Sequence, residues 1–76
     1  MDIATLRSQL ASGVVTVTFE KLNGEFRVME CTTNPGVTGI PPELGDQGHQ
    51  VRVFDISSSG WRSFLFHRMI SAIEKD

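Results

Sequence analysis

The chain has no tyrosine, a single cysteine and a single tryptophan. Nowhere does an apolar run approach the roughly 20 residues of a membrane-spanning helix. Cys31 alone can form neither an internal disulfide nor a multi-cysteine metal site, which points to a reducing compartment rather than a cysteine-stapled secreted domain. Met1-Asp2-Ile3 lacks the basic start and apolar block of a secretion signal. These absences together lead to the expectation of a cytoplasmic protein without membrane contact. Charge is also short of any strong bias: seven basic against nine acidic side chains give a net charge of −2, so total charge demands no polyanionic partner. The sequence has no glycine-rich phosphate loop, no paired-carboxylate motif and no cofactor fingerprint. His49, His67 and Cys31 make a poor zinc set, and no serine or cysteine sits in a nucleophile-plus-base motif. The expectation is therefore no enzyme, no catalytic residue, no metal and no cofactor.

What is present is one small globular domain of 76 residues, 39 % hydrophobic and 21 % charged. A short helix is predicted over about 2–12. Asp2 can cap it, Ile3, Leu6 and Leu10 form one apolar stripe, and Gly13 is read as its left-handed stop. So short a helix is not stable alone, and its stripe must dock on a sheet.

From Val14 the period changes from 3.6 to 2. Val15, Val17 and Phe19 alternate with Thr16, Thr18 and Glu20, as in a half-buried strand. Asn23-Gly24 signals a hairpin over about 14–33. A two-residue turn at that pair sets Glu20 against Arg27, Phe19 against Val28 and Thr18 against Met29. It also leaves Val17 against Glu30, its one poor match, and places Cys31 beside Thr16.

Residues 34–49 read as an irregular loop, because Asn34-Pro35-Gly36, Gly39, Pro41-Pro42, Gly45 and Gly48 forbid anything longer than one turn. Pro41-Pro42-Glu43-Leu44 suits a single helical turn. A second hairpin spans about 50–67, with Ser57-Ser58-Ser59-Gly60 as its turn. That turn sets Ile56 against Trp61, Asp55 against Arg62, Val53 against Phe64 and Val51 against Phe66. Residues 69–75 form a tail, read as a closing strand in preference to a helical turn. The fold class expected is mostly β: a small antiparallel barrel of about five strands, with the short N-terminal α-helix plugging one end.

Several runs together carry more than composition. Gly13-Val14-Val15-Thr16-Val17-Thr18-Phe19, Arg27-Val28-Met29, Cys31-Thr32 and Asn34-Pro35 come first. Val51-Arg52-Val53-Phe54-Asp55 and Gly60-Trp61-Arg62-Ser63-Phe64 with Arg68 follow. In order and spacing this pattern resembles the small, stand-alone WYL-like proteins of tailed bacteriophages, with an Sm-like, SH3-type barrel. The resemblance covers most of the chain outside residues 37–50. It implies a phage-encoded protein acting in the host cytoplasm. The larger WYL proteins are regulators whose WYL module senses nucleic acid or a nucleotide-like ligand. Carried over, Arg62 and Arg68 would make polar contacts and Trp61 a stacking surface. His67 stands where the family often has an acid.

The residues themselves allow plainer roles. Trp61 either packs on Ile56 at the barrel rim or offers its ring to a base. Arg62 facing Asp55 reads as a cross-strand ion pair as readily as a ligand contact. Arg68 has no assigned partner, which favours it for anion binding. Arg52, Arg62 and Arg68 are expected on one outer face with Trp61, and His67 completes the set of candidate nucleic-acid or ligand contacts. From Gln47 to Ile73 three arginines and two histidines meet a single acid, Asp55. The leading expectation is a non-enzymatic regulatory module contacting single-stranded DNA or RNA, or a complex that handles them. Alternatives are a module that engages a host protein such as a polymerase, and a nucleotide-ligand sensor. Pairing of edge strands into a homo-oligomer stays open.

Overall fold

The computed structural model describes residues 2–39 and 48–75. In chain order the elements are α1 (Ile3–Ser12), β1 (Val15–Glu20), β2 (Phe26–Thr32), α2 (Pro35–Thr38), β3 (Gln50–Asp55) and β4 (Gly60–Leu65). A 3-10 turn (Phe66–Arg68) then leads into β5 (Met69–Glu74). The five strands form one antiparallel sheet in the order β4-β3-β2-β1-β5.

That order forces curvature. In a flat sheet β4 and β5 would lie about 19 Å apart, at roughly 4.8 Å per strand. Yet the chain passes from Leu65 to Met69 through a three-residue turn, which reaches at most about 14 Å even when extended. The sheet therefore coils until its two ends approach, and the molecule is a small barrel with overall extents of 33 × 24 × 22 Å. β2 serves both halves: its length pairs with β1, whereas only Cys31 and Thr32 pair with β3.

Inside lie Leu6, Leu10, Val15, Val17, Met29, Cys31, Val51, Val53 and Phe64. Leu6 and Leu10 come from α1, whose first turn is capped by the Asp2 carboxylate accepting from Thr5 N–H at 2.8 Å. The helix ends differently from expectation. Gly13 has φ 174°, extended rather than left-handed, and the chain runs straight into β1. Thr32 supplies the anchor instead: its hydroxyl is 2.7 Å from the Gly13 carbonyl and 3.0 Å from that of Leu10.

Both hairpins close differently from the sequence reading. At Asn23-Gly24 the loop has three residues. Lys21 N–H donates to Glu25 O and Gly24 N–H donates to Lys21 O, with positive φ at Gly24 only. The pairing moves by one residue, giving Glu20–Phe26, Phe19–Arg27, Thr18–Val28, Val17–Met29 and Val15–Cys31. The reason lies in the core: this register sets Val17 on Met29 and removes the mismatch with Glu30, and a one-residue shift swaps every side chain between faces. Arg27 thereby leaves Glu20 and moves to the core-facing side.

In the second hairpin the turn covers Ile56 to Ser59, and Gly60 already pairs with Asp55. Val51 faces Phe64, Val53 faces Arg62 and Phe54 faces Trp61, a two-residue shift that keeps each side chain on its face. The cause is Asp55, whose Oδ1 accepts from the N–H groups of Ser57 and Ser58 and so starts the turn early. Phe66, predicted opposite Val51, lies in the 3-10 turn.

Within the predicted loop, Asn34-Pro35-Gly36 makes α2, one turn long. Asn34 Oδ1 accepts from Gly36 N–H, Pro35 sits at its start and Gly39 is left-handed at its end. The turn expected at Pro41-Pro42-Glu43-Leu44 lies outside the described residues. The tail is a strand: β5 lies along β1, with a bulge near Ile70.

Candidate functional site

β3 and β4 carry the candidate residues, and strand alternation decides which can act together. On the outer face stand Gln50, Arg52 and Phe54 from β3 beside Trp61, Ser63 and Leu65 from β4. Arg52 lies with its guanidinium carbon 5.9 Å from the centre of the Trp61 ring. Phe54 meets the same indole edge-on, ring centres 5.7 Å apart at 77°. Trp61 thus packs on Phe54 and Arg52, and Phe54 rather than Ile56 stands opposite it in the ladder. Its Nε1–H is buried and, among the described residues, has no hydrogen-bond acceptor. The half-buried indole is fixed from one side by an aromatic edge and from another by a cation, a combination that recurs where proteins stack bases.

Arg62 is not part of this face. It points the other way across β4, 3.8 Å from the Asp55 carboxylate, which is itself 1 % exposed and accepts from Arg27 at 2.9 Å. The expected assembly of Arg52, Arg62 and Arg68 on one surface is therefore corrected, because neighbouring residues of one strand face opposite sides. Arg68 in the 3-10 turn has a partner, donating to the Lys21 carbonyl at 3.5 Å. His67 beside it is exposed.

Burial pushes the Asp55 pKa up, but the Ser58 hydroxyl, the Ser58 and Ser57 N–H groups and the Arg27 guanidinium together outweigh it, and the carboxyl ends below its ordinary 3.8. Asp55 is thus a settled anion. Arg27 and Phe54 are the residues that sequence reasoning passed over. Asp-x-Ser-Ser after a strand, a recognised side-chain-capped turn, was the signal that could have fixed the second hairpin.

Cys31 is buried, its thiol 3.6 Å from the Val15 carbonyl, and burial with the Asp55 charge pushes it up to about 12. It is not a nucleophile at neutral pH.

A cavity of about 260 Å³ opens where the end of β1 approaches β3 and β4. The stacked Phe19 and Phe64, Leu22 and Leu65 make its apolar wall, and Gln50 donates to Ser63 Oγ at its margin. It adjoins the Arg52–Trp61 face, since Gln50, Ser63 and Leu65 belong to both. Among the described residues no group of three His, Cys, Asp or Glu stands together as a metal site, and no helix is long and apolar enough to cross a membrane.

Among the described residues, five antiparallel strands, a short N-terminal helix and a 3-10 link into the last strand define a small barrel of the SH3 type. Residues 3–70 match the family WYL_2, described as having an Sm-like SH3 beta-barrel fold, and the chain belongs to that family. No curated protein and no solved structure matches.

Proposed function

We propose that the protein is a non-enzymatic binding module that contacts single-stranded nucleic acid with the outer face of β3 and β4. The observation that carries this reading is Arg52 lying over Trp61 with Phe54 against its edge. A stacked base gains about 1–3 kcal/mol on such a ring, and a neighbouring guanidinium can take the phosphate that follows. On this face the positive charge comes from Arg52, since Arg62 points to the other side of β4, and a single well-placed guanidinium can meet a phosphate even on a chain of negative net charge. A regulatory role, a phage-encoded origin and action in the host cytoplasm belong to the same reading.

Fluorescence anisotropy with labelled single-stranded DNA and RNA at low salt tests it. Binding should be measurable and should weaken in Trp61→Ala and Arg52→Ala. Binding that stays undetectable at high micromolar protein would count against the reading.

A second reading, a module that engages a host protein, draws on a different surface. Phe26, Val28 and Ile73 are each about two-thirds exposed, on the outer side of β1, β2 and β5. Exposed apolar side chains gathered on a sheet face suit a protein partner better than a polyanion. If anisotropy is flat and Val28→Ser abolishes binding to a purified host protein, this second reading takes precedence.

A further inference from the structure

We propose that Arg27 and Arg62 form a phosphate-binding fork on the core-facing side of the barrel wall, oriented by the Asp55 between them. Asp55 has its oxygens occupied without Arg62. Oδ1 accepts from the N–H groups of Ser57 and Ser58 at 3.0 and 3.4 Å, and Oδ2 accepts from Arg27 Nη2 at 2.9 Å. Arg62 Nε stands 3.8 Å from that same Oδ2, beyond hydrogen-bonding range. One carboxylate is therefore flanked by two guanidinium groups, and one positive charge is left over.

Neutralising a buried acid needs one cation. A second one held against the first costs repulsion unless an anion shares it. Both arginines are open to solvent, their side chains 38 % and 52 % exposed. Among the described residues, neither has a further hydrogen-bonded acceptor.

Planar guanidinium forks bind oxyanions through paired N–H donors. A carboxylate presents its two oxygens in one plane and matches one fork side-on, whereas a tetrahedral phosphate presents oxygens in several directions and can engage both arginines at once. The ligand class is therefore a phosphate, free or carried on a nucleotide. Because β4 directs Arg62 and Trp61 to opposite sides, this site stands apart from the nucleic-acid face proposed above, and either can fail alone.

The experiment follows the side-chain Nε–Hε resonances of the arginines by ¹H–¹⁵N NMR during titration with sodium phosphate, with sodium chloride at matched ionic strength as control. The Arg27 and Arg62 signals should shift saturably, with a dissociation constant on the order of 1 mM, while Arg68 stays still. Arg62→Gln, at an exposed position outside hydrogen-bond reach of Asp55, should keep the fold and weaken binding by ~10-fold or more. Arg62→Lys retains the charge but loses the fork and should fall between. Adenosine 5′-monophosphate titrated in parallel separates the sources. Equal affinity means that the phosphate group alone is recognised, and tighter binding means that the nucleoside adds contacts. A drift no different from chloride, or a saturable shift that survives Arg62→Gln, overturns the proposal.

Discussion

Arg27 donates to the Asp55 carboxylate at 2.9 Å, joining β2 to β3 where the two strands share only two paired residues. The contact secures the most weakly laddered seam of the sheet. It combines with the Ile56 N–H donating to Glu30 O, so a side chain and a backbone bond hold the same corner. The same carboxylate nucleates the β3–β4 turn. One buried acid therefore organises three strands and the turn that orients Trp61.

Asp55 makes stability pH-dependent with a definite sign. Its carboxyl is more acidic in the fold than the ordinary 3.8, so the unfolded chain takes up the proton first as pH falls. The stabilisation is complete above about pH 5 and is lost as pH drops through 3.8 towards the folded value. Asp55→Asn should remove this share of the dependence and leave that of Asp2, whose carboxyl the Thr5 hydrogen bonds also hold below its ordinary value. It should cost about 1–3 kcal/mol at pH 7, a range that reflects the part-exposed partner Arg27. Urea unfolding of both proteins between pH 3 and 7 measures it. Parallel curves would show that Asp55 does not carry the effect.

Cys31 should be silent towards thiol reagents in the folded protein. Its thiol is fully buried and pushed up to about 12, so thiolate is scarce at pH 8 and out of reach. Modification with a disulfide reagent should proceed only as fast as the protein opens, and become immediate in denaturant. Rapid labelling without denaturant would contradict the burial.

Much of the fold was legible because the signals were local. The Ile3–Leu6–Leu10 stripe, the Val15–Val17–Phe19 alternation and the Val51–Val53 pair each state a period and an inward face. Registers were less legible. Asn23-Gly24 fits both a two-residue and a three-residue loop, since each puts Gly24 at positive φ, here 87°. Only packing between distant residues, Val17 on Met29, separates them. That one-residue choice decided where Arg27 points, which is why its link to Asp55 was hidden. In the second hairpin the shift was two residues, so faces survived and the Arg62–Asp55 contact was readable although its exact pairing was not.

The three-residue loop has its own test. Gly24→Ala places a Cβ at positive φ and should cost about 1–2 kcal/mol, although nothing lies close enough to clash with it. Asn23→Ala loses only the exposed bond from Glu25 N–H to Asn23 Oδ1 and should cost less. Equal losses in thermal denaturation would instead indicate positive φ at both positions.

Thr32→Val probes the anchor between helix and sheet. The substitution keeps the shape of a fully buried side chain but strips the hydroxyl from the Leu10 and Gly13 carbonyls and from the Asn34 N–H that donates to it. A loss of about 1–3 kcal/mol is expected, with amide exchange accelerating first in α1. Unchanged stability would mean that water replaces these bonds at no cost.

The Arg52–Trp61 pair should divide nucleic-acid binding into two separable parts. Trp61 is the sole tryptophan, so base stacking should quench the intrinsic fluorescence directly. Trp61→Ala should cost about 1–3 kcal/mol in oligonucleotide affinity without altering its salt dependence, because an indole neutralises no phosphate. Arg52→Gln should do the reverse. It should lower the slope of log affinity against log salt by about 0.7, the single-strand value for one phosphate contact, while fluorescence still reports stacking. Salt titrations of the two variants and the parent decide the matter. If Trp61→Ala flattens the salt slope, or Arg52→Gln leaves it unchanged, the two side chains do not share the work in this way; if both variants bind as tightly as the parent, the outer face of β3 and β4 is not the surface that meets the strand.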